Sequence, residues 1–173
     1  MPKSNYYNDY PIGIPIFAII LSYFTYMVGA YIIAGLGFIF AIIYLFYCFG
    51  VEMLIVLRSC KDCFYYGKIC GFGKGWVAPW FCKKGNPERF ASRKITFIDL
   101  IPDFLVVIFP MVAGIILLII NFSFVILALM IILFFMFFAG TAIIRLNLVC
   151  KFCKQRDIGC PAEKLFSKNN NFF

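Results

Sequence analysis

Two cysteine triplets with the same spacing are the residues of this chain with the clearest potential for chemistry. Each triplet follows the pattern C-x2-C-x6-C, and the members are Cys60, Cys63 and Cys70 in the first copy and Cys150, Cys153 and Cys160 in the second. A C-x2-C pair can place two thiolates on one metal ion through a tight turn, and a third cysteine can approach from another direction. The doubled triplet therefore predicts a thiolate–metal site.

Several uses of these thiols are open at this stage. Disulfides need an oxidising compartment, and the charge pattern described below puts the triplets in the cytosol. Reduced thiols without a ligand are a second alternative, which the repeated spacing disfavours. Zinc is the predicted metal, and an iron–sulfur cluster is the alternative, for which Cys82 could complete a four-thiolate site with the first triplet. The chain has no histidine, which excludes mixed Cys/His zinc sites.

Residues outside the triplets match at the same offset, which indicates an internal repeat. Identical counterparts 90 positions apart include Asp9 and Asp99, Gly50 and Gly140, and Lys61 and Lys151. Each unit reads as an aspartate, two apolar segments and a cysteine triplet. We therefore predict a first repeat at residues 1–90 and a second at 91–173, with both triplets at the same end of the molecule.

The two triplets resemble the binuclear zinc cluster of fungal transcription factors, in which six thiolates hold two zinc ions. The resemblance implies bridging roles for Cys60 and Cys150. It implies terminal roles for the other four cysteines, which are Cys63, Cys70, Cys153 and Cys160. It covers the triplets alone, because a membrane hairpin stands here where that family has a short loop, and no DNA-binding function is carried over.

The elements that must position the cysteines are transmembrane helices. Apolar residues make up 64% of the chain, and the runs Tyr10–Val51 and Phe104–Ile144 contain no Asp, Glu, Lys or Arg. Each run is about twice the ~20 residues that one helix needs to cross a membrane, so each predicts a hairpin. The predicted helices are residues 11–31, 35–58, 98–120 and 124–148. The expected fold is an all-α membrane protein with two tandem hairpins in a parallel two-fold repeat and small cysteine-rich cytosolic segments.

Basic residues set the expected orientation. Both hairpin turns are uncharged, whereas the 16 Lys and Arg residues lie at or beside the opposite end. By the positive-inside rule both termini and the cysteine-rich loops are cytosolic, in a multi-pass protein of the cell membrane. The net charge of +8 is interpreted as an insertion signal and not as nucleic-acid binding. Trp76 and Trp80 predict an aromatic anchor at the membrane interface.

Few ionisable residues lie at membrane depth, and such groups usually pair. Glu52 and Arg145 are predicted to form an ion pair between helices. Asp9 and Asp99 each precede a proline at the start of an apolar run, which predicts helix capping. Asp103 could share a face with Asp99, and no role is assigned to it.

The sequence favours a structural or accessory membrane subunit over an enzyme. It contains no nucleophile–base pair and no cofactor fingerprint, and its metal site would clamp the two hairpins together. The expected partners are the lipid bilayer and either other membrane subunits or further copies of this chain, with no nucleic acid. One alternative is an iron–sulfur electron-transfer subunit. Another is an oligomeric small transporter, with Glu52, Asp99 and Asp103 along its path.

Overall fold

The computed structural model describes residues 6–93 and 96–161, which are mostly helical. The helices are α1 (Gly13–Ala34), α2 (Phe38–Arg58), α3 (Lys74–Phe81), α4 (Pro87–Ser92), α5 (Phe97–Ile120), α6 (Phe124–Phe135), α7 (Thr141–Ile143) and α8 (Gln155–Gly159). Two π-helical stretches, Met136–Gly140 and Ile144–Val149, join α6 and α7 into one continuous segment that ends at the second triplet.

Four segments are long and apolar enough to cross a membrane, as predicted. They are Gly13–Ala34, Phe38–Asp62, Ile98–Ile120 and Phe124–Phe152. The predicted helix ends agree with the observed ones to within a few residues, and the turns fall at the small residues around Gly35 and at Asn121–Ser123. A continuous helix satisfies its own backbone polar groups, which lipid requires.

The first helix of each hairpin lies at the centre of the bundle. α1 and α5 contact each other, α1 also contacts α2 and α6, and α5 also contacts α6 and α2. Tyr44 of α2 joins the hairpins, because its hydroxyl donates to the carbonyl of Val106 at 2.8 Å. Cys48 is buried in this core. Large side chains such as Phe38 and Ile119 are exposed on the outside, as expected for a surface that faces lipid.

The two hairpins run in the same direction. At one end the hydroxyl of Tyr10, before α1, donates to the carbonyl of Val149 at 2.7 Å. At the other end a side chain at Gly35 would collide with Leu117 near the end of α5. The end that carries residues 6–12, 59–93 and 145–161 is called the cysteine end from here on.

The two aspartates that were predicted to cap helices behave differently. Asp99 forms a capping box with Thr96 at the start of α5, and its Oδ2 accepts the Thr96 N–H at 3.0 Å. The prediction for Asp9 is wrong, because α1 begins at Gly13 without a side-chain cap. The Asp9 carboxylate instead accepts the N–H of Ile69 at 3.3 Å, since the segment before α1 is hydrogen-bonded to the first cysteine loop.

Trp76 and Trp80 lie on α3, on one face of the helix. Their rings are 6.2 Å apart, and both side chains are exposed. Pairs four residues apart share a helical face. The arrangement fits the predicted aromatic anchor.

Candidate functional site

All six triplet cysteines line one cavity of about 310 Å³ at the cysteine end. The triplets are 90 positions apart in sequence, and the packing of the two hairpins brings them to this common space. The lining also contains apolar residues and a set of ionisable and polar side chains, which are Tyr10, Arg58, Ser59, Tyr65, Lys74, Arg93, Asp99, Asp103, Arg145 and Gln155. The doubled cysteine pattern therefore corresponds to one region of the structure.

The two triplets share the same local backbone. In each copy the first cysteine begins a 3-10 turn, Cys60–Asp62 or Cys150–Phe152, that ends a membrane-spanning segment, and the second cysteine directly follows the turn. The N–H of the second cysteine donates to the carbonyl of the first, at 3.3 Å in the first copy and 3.4 Å in the second. Such a turn holds two thiols of a C-x2-C pair on the same side of the chain.

A reciprocal pair of hydrogen bonds connects the triplets. The N–H of Phe64 donates to Oε1 of Gln155 at 2.7 Å, and the N–H of Lys154 donates to the hydroxyl of Tyr65 at 3.0 Å. Residues 64 and 154 are counterparts at the 90-residue offset, and so are residues 65 and 155. When a residue of one copy contacts a residue of the other, and the two counterpart residues make the same contact in reverse, the interface has the pattern typical of two-fold symmetry. Tyr65 and Gln155 are both almost fully buried.

The segment before α1 lies between the two triplets and bonds to both. The N–H of Tyr10 donates to the carbonyl of Ile69 at 3.0 Å, while its hydroxyl donates to the carbonyl of Val149. Tyr7 donates its N–H to the carbonyl of Phe152 at 3.1 Å. This segment therefore fastens the first cysteine loop to the second.

The thiols at the centre of the site are neutral in the absence of a ligand. Burial raises the pKa of Cys63 to about 11 and that of Cys153 to about 12, although the N–H groups of Tyr65 and Gln155 act in the opposite direction. The Cys160 thiol contributes to both increases. A bound metal ion would be needed to hold them as thiolates.

The cavity lining carries an excess of positive charge. Its four cations are Arg58, Lys74, Arg93 and Arg145, and its two carboxylates are Asp99 and Asp103. Cations still exceed carboxylates when Glu52, which pairs with Lys74 just outside the lining, is counted. Such an environment favours an anionic group inside the cavity, because opposite charges close together stabilise each other where water is scarce.

The predicted ion pair between Glu52 and Arg145 is replaced by another. Glu52 contacts Lys74 at 2.7 Å and accepts the hydroxyl of Tyr26. The loop after the first triplet folds back so that α3 begins beside α2, which brings Lys74 to Glu52. The sequence prediction considered only the positions of Glu52 and Arg145 along their helices, and these positions do not reveal where the loop returns. Nε of Arg145 is buried without a hydrogen-bond partner among the described residues, and its guanidinium lies 5.9 Å from the Phe72 ring centroid.

Cys82 lies outside the common cavity. It caps the end of α3, where its thiol donates to the carbonyl of Ala78 at 3.2 Å, and it is not part of the cavity lining. The cavity therefore contains both triplets, whereas Cys82 lies outside its lining.

The donor set suits a soft metal, although the side chains do not stand in ligand geometry. Among residues 6–93 and 96–161, no group of three or more Cys, Asp or Glu side chains has an arrangement that would hold a metal ion. The thiols that converge on the cavity are nevertheless the ligand type that zinc and iron–sulfur clusters use. Metal binding would need side-chain rotations of these thiols, as is common when a site forms together with its metal.

Several residues that shape the site are not evident from sequence spacing. Tyr7 and Tyr10 fasten the two loops, and Tyr65 and Gln155 exchange hydrogen bonds between them. A signal existed for the last two, because both stand two positions after the second cysteine of their triplet. Comparison of the chain with protein-family models, with curated proteins and with solved structures finds no significant match.

Proposed function

We propose that the six triplet cysteines bind zinc as one shared thiolate site, which clamps the two hairpins of a multi-pass membrane protein together. The single observation that carries the proposal is that all six thiols line one cavity. The protein would act as a structural or accessory subunit of a membrane assembly, with the cysteine end in the cytosol. Structural zinc sites contribute to folding directly.

An internal two-fold repeat, with units at residues 1–90 and 91–173, accounts for the geometry of the site. The reciprocal bonds of Tyr65 and Gln155 support it, and so do the matching turns before them. The helix packing supports the repeat as well. α1 and α5 lie at the centre, and each contacts the second helix of both hairpins. A two-fold axis along the bundle would produce this arrangement.

In a binuclear site the pair nearest that axis would bridge the two ions. The resemblance to fungal clusters implied Cys60 and Cys150 for this role. The reciprocal hydrogen bonds instead involve the residues directly after Cys63 and Cys153, and Cys63 is among the thiols that raise the pKa of Cys153. All six triplet cysteines would therefore hold the metal together, and Cys63 and Cys153 are the pair that directly precedes the exchanged bonds.

Charge supports a thiolate cluster in this cavity. Two zinc ions with six thiolates carry a net charge of −2, and the lining supplies an excess of cations. When bound, zinc would hold the thiols deprotonated and cross-link the loops. The basic side chains would offset the remaining negative charge, while the segment before α1 would keep the two loops in contact.

Metal content of the purified protein tests this proposal. We expect about two zinc ions per chain, with a large loss in the Cys63→Ala variant. Cys82→Ala is the matched control, because it removes a thiol of the same loop outside the cavity, and it should retain its zinc. Substoichiometric metal in the wild-type protein, or equal loss in both variants, would contradict the proposal.

An iron–sulfur electron-transfer subunit is the second candidate, since an all-thiolate donor set also suits such clusters. Colour and an electron paramagnetic resonance signal from the reduced protein distinguish it from the zinc protein. The transporter alternative is weaker. Asp99 caps α5 and Glu52 pairs with Lys74, so two of the three carboxylates assigned to a path hold structural contacts.

A further inference from the structure

A second concave surface at the cysteine end is strongly basic. It is an open groove of about 420 Å³, and its lining residues are Arg58, Lys61, Asp62, Arg89, Ser92 and Arg93. Four cations and one carboxylate leave an excess of three positive charges. We call this surface the basic groove.

Separate elements supply the four cations, so the groove does not result from one charged helix. Arg58 ends α2, Lys61 lies in the first 3-10 turn, and Arg89 belongs to α4. Arg93 follows α4 and donates from its guanidinium to the carbonyl of Arg58 at 3.0 Å. This bond holds the end of α4 against the end of α2, which keeps the cations together despite their mutual repulsion.

The carboxylates whose side chains the structure describes leave most of the positive charge of the groove uncompensated. Asp62 is buried, and its Oδ1 accepts the N–H of Asn86 at 3.2 Å. Asp99 approaches Arg58 only to 3.8 Å, and both side chains are partly exposed, so this contact contributes little. The groove therefore favours an external anion.

The basic groove lies between the ends of two membrane-spanning helices, at the level expected for the membrane surface. Arg58 is the last residue of a membrane-spanning helix, and Phe97, four residues after Arg93, is the first residue of the next. The exposed Trp76 and Trp80 lie at the same end, and tryptophan is enriched at the level of lipid head groups. Cations at this depth meet the phosphate groups of lipids.

We propose that the basic groove binds the phosphate group of an anionic lipid. Arginine side chains can form two parallel hydrogen bonds with phosphate oxygens, and basic pockets beside transmembrane helices recognise anionic head groups. The Ser92 hydroxyl adds a neutral polar group to the lining. This inference is independent of the metal proposal, although Arg58 and Arg93 line both cavities.

Lipid retention tests the groove. The full chain is incorporated into nanodiscs of phosphatidylcholine with or without phosphatidylglycerol, and the lipids that remain bound after detergent extraction are counted by native mass spectrometry. We expect selective retention of phosphatidylglycerol. Arg89→Gln should weaken it about fivefold, and Lys61→Gln together with Arg89→Gln about 25-fold, since each cation near an anionic surface accounts for roughly fivefold.

Matched controls distinguish a specific lipid site from general attraction between basic side chains and anionic lipids. Lys84→Gln, and Lys83→Gln with Lys84→Gln, remove the same charge from exposed positions of the loop outside the groove, and retention should fall less than about twofold. Arg89 does not line the cysteine cavity, and the zinc content of its variant, measured in parallel, excludes an indirect effect through the metal site. Equal losses in groove and control variants would overturn the proposal. Displacement of phosphatidylglycerol by an equal concentration of inorganic phosphate would overturn the assignment to lipid.

Discussion

The segments that carry the two cysteine triplets begin alike and then diverge. Both start with a 3-10 turn between the first two cysteines, and both exchange one hydrogen bond with the other copy. After the first triplet the chain returns to the bundle as α3, where Lys74 contacts Glu52. In the second copy the short α8 forms between the second and third cysteines and packs against α4.

Two parts of the cysteine end can be distinguished, which are the matching turns with their exchanged bonds and the loop that returns to the bundle as α3. The turns and the exchanged bonds occur twice, so they are the part that a shared thiolate site requires. The loop after the first triplet adds the exposed tryptophans and part of the basic groove, and its counterpart after Cys160 lies outside the described residues. We therefore expect substitutions in the matching turns and exchanged bonds to affect stability more than substitutions in the returning loop.

Metal removal is expected to produce the largest effect, because structural zinc contributes on the order of 10 kcal/mol of apparent binding energy in small domains. Chelation should expose the triplet thiols to alkylation, measured at about pH 9 because burial raises the pKa of Cys63 and Cys153 and the thiolate is the form that reacts. The helix content measured by circular dichroism should persist, since lipid or detergent enforces helices. The readout is mass spectrometry of alkylated peptides. Cys48, buried in the bundle, should stay protected throughout. Triplet thiols that react equally fast with and without chelator would contradict the prediction.

Breaking the exchanged hydrogen bonds is expected to have the next largest effect. Gln155→Leu and Tyr65→Phe each leave a backbone N–H without its acceptor, at a cost of about 1–3 kcal/mol in the free energy of unfolding. Tyr65→Phe should cost more, because its hydroxyl also donates to the carbonyl of Tyr7. Denaturant unfolding in detergent measures both, with Tyr66→Phe as a control outside the cavity. A significant cost for only one of the two variants would argue against symmetry.

A double-mutant cycle can test the ion pair between Glu52 and Lys74. Glu52→Gln and Lys74→Gln should show a coupling of about 1 kcal/mol, as for a partly exposed pair. Glu52→Gln with Arg145→Gln should show less coupling, because Arg145 is not the partner of Glu52 among the described residues. Unfolding free energies in detergent give both values. Stronger coupling to Arg145 would restore the pairing that the sequence predicted.

The counterpart aspartates should give the smallest effects. Asp99→Ala is expected to destabilise the start of α5 by about 0.5–1 kcal/mol, because it removes half of a capping box. Asp9→Ala should leave the start of α1 unchanged, since Asp9 caps no helix. Hydrogen exchange of the first-turn amides compares the two helices. Equal increases in exchange at α1 and α5 would show that the aspartates act alike.

The sequence predicts the helices better than it predicts the site, for a physical reason. A lipid environment requires long uncharged runs, and these can be read directly from runs such as Tyr10–Val51. The spacing of the cysteines also predicts which thiols could meet. The partners of Glu52 and Asp9 depend on how the loop after the first triplet folds back, and no local pattern encodes that return. Tyr65 and Gln155 become evident only when the two halves are placed together.

The stoichiometry of zinc after removal of one triplet tests the central claim most directly. The second triplet is left intact while Cys60, Cys63 and Cys70 are replaced by serine in the full chain. A shared site predicts that zinc falls from about two ions per chain to nearly none, because the remaining three thiols cannot complete a four-coordinate site. Retention of about one ion would contradict the shared site and indicate two independent ones.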